Sequence, residues 1–545
     1  MTAPTREFDP SSVIDQILTG HLPSPHQPPT REGLSTEETG LVETIAAWCA
    51  RHNLAALIET SAQIPDELLR DLTQLGAFRI TIPTRYGGLG FSDTCLLAVL
   101  SVLTSAHASL CEIVAAHQVI GAVRPLLEFG TETQNARYLP ELTDQVSAFA
   151  LNEPDLGYGS GPLQTTAWLD PDQNVYRVTG TKTWITNATI ASHAIVLVDL
   201  AATEQSPGGI TALLITADDP GVKCGPQSSF AGMRGLPNGQ LQFDDASIPA
   251  DRVIGGEGNG VEVALTCLSQ CRAALPVAGL TTAVACLHQA VAWAHEDRQT
   301  RRGLHTHPQI QRHLAALMVE ALVANAVTWC VLDQRCAPID AEAAKLIVSE
   351  AANRATDTVL QLIAGRGYET AASARAREAT PSPIERLWRD TRVTRIFDSS
   401  TEMLKDLLAQ PLTEATAPMK TTHPVTDECT GVLSGQAARL HKAINADPEN
   451  PWVRASAVDC ALALFTLHSL NRYREHLSEE RDPTTLTWDV ASTELQQRVE
   501  GLLDALSNPA QLARTGTLAI ELIGRPDAPL ARPFTHPLTE LGVRR

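Results

Sequence analysis

The stretch Ile384–Met403, I-E-R-L-W-R-D-T-R-V-T-R-I-F-D-S-S-T-E-M, decides how the rest of the chain is read. It opens as a basic helix carrying Arg386, Arg389, Arg392 and Arg395 and closes in a short loop with a lone carboxylate, Asp398. The string Ser399-Ser400-Thr401-Glu402 that follows is a strong helix N-cap signal, so the plain reading of Asp398 is a capping acid. The sharper reading is a general base, because burial by a ligand raises a carboxylate's pKa towards neutrality.

Upstream and downstream of this stretch the periodicity changes twice. Residues 1–40 include L-P-S-P-H-Q-P-P-T and read as an irregular leader. From Leu41 to Phe129 apolar residues such as Leu41, Ile45 and Cys49 recur at helical spacing, and Leu96–Leu103 predicts a buried helix. Near Ala148 the pattern shortens to alternating or apolar runs such as Val175–Val178, Ala194–Val198 and Ile210–Ile215, separated by turn residues, which predicts an antiparallel β domain ending about Pro249. Helix returns at Gly260–Arg302, where Pro276 is expected to break or kink it for want of an N–H donor. It continues at Pro308–Asp333 and Ala341–Ala364. Pro411–Thr426 has the composition of a linker, and three further helices are predicted beyond it. The expected fold class is mainly α with a central β domain: leader 1–40, helical domain 41–146, β domain 147–250, helical bundle 251–410, linker 411–426 and helical extension 427–545.

Composition narrows the function classes. A length of 545 residues suggests about three domains, and a formal charge of −20 argues against a general binder of nucleic acid or anionic membrane. The eleven cysteines are scattered, with no C-x-x-C pair and no zinc spacing, so reduced thiols in a cytoplasmic protein are expected and no metal site. The start, M-T-A-P-T-R-E-F-D-P, lacks an apolar signal core, and no run of 18 apolar residues predicts a membrane span. G-x-G-x-x-G, the P-loop, H-E-x-x-H and G-x-S-x-G are all missing, which removes the usual nicotinamide, nucleotide, zincin and hydrolase sites.

Four other stretches carry residues suited to a ligand. Phe149–Gly161, F-A-L-N-E-P-D-L-G-Y-G-S-G, is by itself a Gly-rich turn between helix and sheet, with backbone open to close approach. Gly180–Asn187, G-T-K-T-W-I-T-N, is by itself a strand with Trp184 packed on the sheet. Trp293–Gly303 ends a helix with a basic run, and Gln361–Tyr368, Q-L-I-A-G-R-G-Y, is a Gly-rich helix end.

Taken together these stretches resemble the acyl-CoA dehydrogenases, over roughly residues 40–410. Ile384–Met403 is similar to the family's v-E-r-l-y-R-D-a-r-i-x-x-I-Y-E-G-T-s-E-i, with Asp398 where the family has its catalytic Glu and Ser399 where it has Gly. The likeness implies an N-terminal helical domain, a small β domain and a C-terminal four-helix bundle. The extra tail resembles the very-long-chain dehydrogenases and acyl-CoA oxidases, implying a homodimer. It implies FAD as cofactor, an acyl thioester of CoA or a carrier protein as substrate, and electron-transfer flavoprotein or oxygen as acceptor. By the same resemblance Phe149, Leu151, Asn152 and Gly157 hold the flavin's pyrimidine edge, Trp184 covers its ring and Thr186 reaches N5. Arg298 and Thr300 align with the grip on a neighbouring subunit's pyrophosphate, and Gln361, Gly365, Gly367, Ser400 and Glu402 with the adenine-diphosphate site. Tyr158, Arg272 and Ser399 fall on the substrate side. Some family members carry their base at about the position of Cys271, where this chain has no acid, and Glu262 lies more than two turns away. The implied activity is α-proton abstraction by Asp398 with β-hydride transfer to flavin. An oxygen-using oxidase or N-hydroxylase, or a binding relative without turnover, are the alternatives.

Overall fold

The computed structural model describes residues 9, 11–20, 34–155, 161–204, 206–296, 303–332, 337–413, 428–447, 450–477 and 485–506, which fall into two compact units. In the first, a helical layer comes before the sheet: α2 (Thr36–Arg51), α3 (Leu54–Ser61), α4 (Asp66–Leu75), α5 (Asp93–Ala106), α6 (Ala108–Ala115), α7 (Val123–Phe129) and α8 (Glu132–Tyr138). Glu38 fixes two of these helix starts. It completes a capping box with Ser35 at the head of α2, and it accepts from the backbone and hydroxyl of Ser92, the N-cap of α5, at 2.7 and 2.6 Å.

Among the described residues the sheet has eight strands: β1 (Ser147–Ala150), β2 (Thr166–Asp170), β3 (Val175–Thr186), β4 (His193–Leu200), β5 (Gly209–Thr216), β6 (Val222–Cys224), β7 (Asn238–Pro249) and β8 (Val253–Ile254). Their order is β6-β7-β3-β2-β4-β5-β8, with β1 paired to β4. It is not wholly antiparallel as expected, because β4 is parallel to both β1 and β2. After β3 the chain reverses and lies beside β2 instead of β3, so β4 must run the way β2 does. Between β3 and β7 the register slips at Lys182/Ile185, and the bulge leaves Trp184 in the left-handed region at φ +56.

Beyond the sheet, α9 (Gly260–His295), α10 (Pro308–Val331) and α11 (Pro338–Ile363) pack on one another. Short helices α12 (Gly365–Tyr368) and α13 (Ala371–Ala376) lead to α14 (Ile384–Arg392), which lies on α11, and α15 (Thr401–Ala409) follows. Of the break or kink expected at Pro276, the break does not occur, and α9 runs through the proline for 36 residues. Packing of α9 against its two long neighbours outweighs the proline's local cost of about 3 kcal/mol. Contact between α9 and α11 is close: a Cβ at Gly279 would stand 2.7 Å from Val348 Cγ1.

The second unit holds α1 (Val13–Leu18), α16 (Glu428–Ala446) and most of α17 (Pro451–Leu477) and α18 (Thr485–Leu506). Helix α1 lies inside the stretch read as irregular leader. Ser12 caps it through the Asp15 N–H, and its stripe of Ile14, Ile17 and Leu18 is buried, with α16 packed against it. Arg439 and Gln436 of α16 meet Glu500 of α18 at 2.7 and 2.8 Å. Of the expected linker, residues 414–426 lie outside the described residues.

The expectation that nothing is apolar enough to span a membrane needs correction. Four helical segments, Ala108–Phe129, Gly260–His295, Pro308–Val331 and Pro451–Arg474, are long and apolar enough by length and mean hydropathy. A strict run of apolar residues missed them because polar or charged residues interrupt each one. Much of that apolar surface is spent on packing within the protein, most completely in the first, whose apolar window is 83% buried.

Candidate active site

The acid at the head of the argument lies in the first unit, on a turn with two consecutive left-handed residues, Asp398 at φ +49 and Ser399 at φ +73. Side chains other than glycine adopt this region at a cost of about 1–2 kcal/mol each. Two cations hold the turn. Arg272 of α9 donates through Nη2 to Ser399 Oγ at 3.0 Å, and Lys345 of α11 donates to the Ser399 carbonyl at 2.7 Å. Serine in place of the family's glycine therefore brings its own anchor, a hydroxyl that the guanidinium grips.

So held, the Asp398 side chain is 7% exposed, and neither of its oxygens has a hydrogen-bond partner. The capping role belongs to Ser400, whose Oγ accepts from the Met403 N–H at 3.3 Å. Arg272 Nε stands 3.6 Å from Asp398 Oδ2. Burial raises the Asp398 pKa above the ordinary value, and the charges of Arg272 and Lys345 oppose that rise.

Around it lies a cluster that sequence reading missed. Glu342 of α11 pairs with Arg272, and burial lifts its carboxyl to about 7. Burial brings Lys345 down to about 8, with Asp398 pulling the other way. Glu112 of α6 is buried, and burial with the nearby Asp398 charge raises it to about 8. Cys271 sits beside Asp398 with its thiol pushed well above the usual range, so it stays protonated and offers no base. Glu262 is exposed in the first turn of α9. The signal available was charge inside apolar helices: Glu342 and Lys345 lie at i, i+3 in A-E-A-A-K-L-I-V.

Phe397, next to the acid, helps to wall a pocket between α5, α6, α9, α11 and α14. The pocket holds about 560 Å³ of empty space, open water at its mouth included. Cys111, Met233, Leu275 and Leu387 give it apolar walls, and Glu112 is also on its lining.

A second group of residues meets at the end of β3. Lys182 donates to Glu153 at 2.8 Å and to the Leu151 carbonyl at 3.1 Å, and the two charged side chains are 0% and 1% exposed. Glu153 also accepts from the backbone of Gln164 and Thr165, while the Asn152 carbonyl accepts from the Thr183 N–H at 2.9 Å. These bonds bring residues 149–153 alongside 182–186, with Phe149 buried, Leu151 half-buried and Asn152 exposed. Thr183 and Ile185 face inward, and Trp184 stands out with 55% of its surface bare. Thr186 Oγ1 accepts from Asn238 at 3.4 Å, which leaves its own proton to donate. The next residue, Asn187, donates to the Ile113 carbonyl at 3.0 Å, tying β3 to the helix that carries Glu112.

A third group lies past α11. Gln361 and Gly365 are exposed, Gly365 has open space where a Cβ would stand, and Gly367 is buried against Ile384. Ala364 holds φ +56, a conformation suited to the glycine the family has there. Glu402 is exposed on the first turn of α15. Gly157, Tyr158, Arg298 and Thr300 lie outside the described residues. The basic residues that opened the reading are mostly absorbed in ion pairs, Arg386 with Asp390, Arg389 with Glu59 and Glu385, and Arg395 with Glu350.

These features fit a planar aromatic cofactor. A large indole stands uncovered on a strained bulge, an exposed amide and a hydroxyl with a free proton lie on the segments beside it, and a glycine-lined helix end is open. Among the described residues no His/Cys/Asp/Glu group could hold a metal.

A helical layer, a sheet whose β3 bulge bares an indole, and a bundle of long helices carrying a buried acid together define the fold class of the acyl-CoA dehydrogenases. Residues 35–145, 148–246 and 258–413 match that family's N-terminal, middle and C-terminal domains in turn, and the chain belongs to it. Among relatives, it is 36% identical over 368 residues to the probable acyl-CoA dehydrogenase FadE10 of Mycobacterium tuberculosis, a match covering 66% of this chain and 56% of that one. It is 28% identical over 380 residues to the mitochondrial very long-chain specific acyl-CoA dehydrogenase of Homo sapiens, covering 68% and 56%. The chain thus spans little more than half the length of these relatives. The fold is shared with an acyl-CoA dehydrogenase complexed with FAD from Bacillus anthracis, at a TM-score of 0.75 and 20% identity over 90% of this chain and 91% of that one.

Proposed function

We propose that the chain is an FAD-dependent acyl thioester dehydrogenase in which Asp398 removes the α-proton of the bound acyl group. The observation that carries this is a buried carboxylate with neither oxygen in a hydrogen bond, paired with Arg272 and next in the chain to Phe397, which lines the pocket. FAD held beside Trp184 would supply the acceptor for the β-hydrogen as hydride, with the α C–H electron pair forming the new double bond.

The chain's own residues supply the rest. Burial makes Asp398 a stronger base than a solvated aspartate, and the charges of Arg272 and Lys345 oppose that rise. Their grip on Ser399 fixes where the carboxylate points. Aspartate reaches about 1 Å less far than glutamate, and an error of that size costs about a hundredfold in rate, so the placement of this turn governs activity. The Lys182–Glu153 pair and Asn187 hold the Trp184 bulge and the Asn152 segment in register for the ring. Exposed Leu265 and Val291 on α9 and Met318 on α10 support a homodimer through the bundle.

Asp398→Asn tests the proposal. The purified variant is expected to stay yellow but to lose anaerobic bleaching by acyl-CoA or acyl-carrier thioesters. Undiminished bleaching would remove Asp398 from the mechanism. Bleaching of the native protein with rapid peroxide formation in air marks an oxidase instead, and a colourless protein that takes up no FAD marks a relative without turnover.

A further inference from the structure

Four of the pocket's hydroxyls are already committed as donors. Thr104, Thr282, Thr391 and Thr394 each give their hydroxyl proton to a helical carbonyl, at 2.8, 2.9, 2.6 and 2.8 Å, and so turn lone pairs to their surroundings. Asp390 is occupied by the Met233 N–H at 2.6 Å and by Arg386 at 3.1 Å. Glu112 is different. It lines the pocket, is 8% exposed, and its carboxyl makes no hydrogen bond among the described residues, yet its oxygens are not among the sealed, unpartnered atoms and so open onto the pocket. An acid among apolar walls with no protein partner is costly unless water or a ligand reaches it.

We propose that Glu112 selects the substrate: the acyl group this pocket takes carries a hydrogen-bond donor, a hydroxyl or an amine, beyond the two carbons that react, and Glu112 accepts from it. This rests on the acyl thioester reading and names the class of acyl chain. An unsubstituted chain leaves the carboxyl unpaired, so the site discriminates against it. Charge in the cluster is consistent with this. Arg272 and Lys345 balance two of the carboxyls Asp398, Glu342 and Glu112, which leaves the third holding a proton in the empty pocket. In either protonation state Glu112 keeps an oxygen able to accept. A hydroxyl needs nothing further, whereas an ammonium group releases the Glu112 proton and replaces it as counter-charge.

The test uses the full-length, FAD-loaded protein and CoA thioesters of one chain length: unsubstituted, hydroxylated, and aminated beyond the β-carbon. Dissociation constants are read by calorimetry on Asp398→Asn, and kcat/KM on the native protein. A hydrogen bond to a carboxyl gives a preference of about tenfold to a hundredfold for one of the donor-bearing chains. Glu112→Leu brings that ratio close to one. Glu112→Gln, which keeps the size and an acceptor, retains a hydroxyl preference and loses an amine preference. FAD content serves as the check that each variant is folded. Native binding of the plain chain as tight as that of both substituted chains, or an unchanged ratio in Glu112→Leu, overturns the inference while the dehydrogenase reading stands. Failure of every thioester to bind overturns both.

Discussion

Replacing Lys182 by Met separates structural support from chemistry, because the lysine lies under the Trp184 bulge and touches no proposed reacting atom. The ammonium is 2.8 Å from Glu153 and both side chains are essentially sealed from water. Removing one member of such a pair leaves an uncompensated buried charge, at a cost of about 3–5 kcal/mol. Glu153 keeps two backbone donors, from Gln164 at 2.6 Å and Thr165 at 2.9 Å, which places the expected loss near the lower end, about 3 kcal/mol. The Leu151 carbonyl also loses its partner, so the segment carrying Asn152 loosens from β3. Urea unfolding should therefore show the loss in stability together with a lower ratio of flavin to protein absorbance. The double variant Lys182→Met/Glu153→Gln should lose clearly less than the two single variants summed, since it no longer buries a lone charge. Acid adds a further check. Burial pushes the Glu153 carboxyl up, but bonds from Lys182, Thr165 and Gln164 outweigh it and hold its pKa below the ordinary 4.5. Its stabilisation is thus complete above that value and is lost as pH falls through the lower folded one, and Lys182→Met should shrink this dependence. Strictly additive single costs, or a loss under about 1 kcal/mol, would refute the reasoning.

Other outcomes follow from the same geometry. Ser399→Ala keeps a side chain at φ +73 and loses the Arg272 bond, whereas Ser399→Gly loses the bond but relieves the backbone, so thermal unfolding should find Ala the worse by about 1 kcal/mol. Trp184→Ala, at a site 55% exposed, should barely change unfolding of the flavin-free protein yet lower FAD affinity measured by fluorescence titration. Glu112 holds a proton up to about 8 in the fold, while the unfolded chain releases it near 4.5, so it lowers stability progressively as pH climbs between those values. Glu112→Gln should therefore gain on the native protein across that window, by about 5 kcal/mol at most, when midpoints are compared from pH 5 to 9.

Local patterns made much of the fold readable. The short apolar run Ala194–Val198 and the helical spacing around Leu96–Leu103 depend only on near neighbours, and both segments form as expected. Pairing direction does not, and β4 lying beside β2 followed from no local signal. Pro276 does not end α9: its local cost is visible in sequence, while the packing that carries the helix through it comes from α10 and α11, tens of residues away. At the site, Asp398 and Trp184 were legible through motifs, whereas Glu112, Glu342 and Lys345 were not. A charged residue on a helix normally faces water, and the partner that draws Glu342 inward, Arg272, is 70 positions distant. Glu153 and Lys182 stood in quoted motifs, but only the structure shows that they are one ion pair.

Because the loop bearing the acid is fastened from beneath by Arg272 on α9 and Lys345 on α11, its location is inherited from the spacing of two long rods and owes little to its own sequence. Gly279, with Val348 pressed against it, sets that spacing. A single methyl there would pry the rods apart and carry the acid off its mark from more than a hundred positions away, while the loop itself can drift through evolution as long as both fasteners survive.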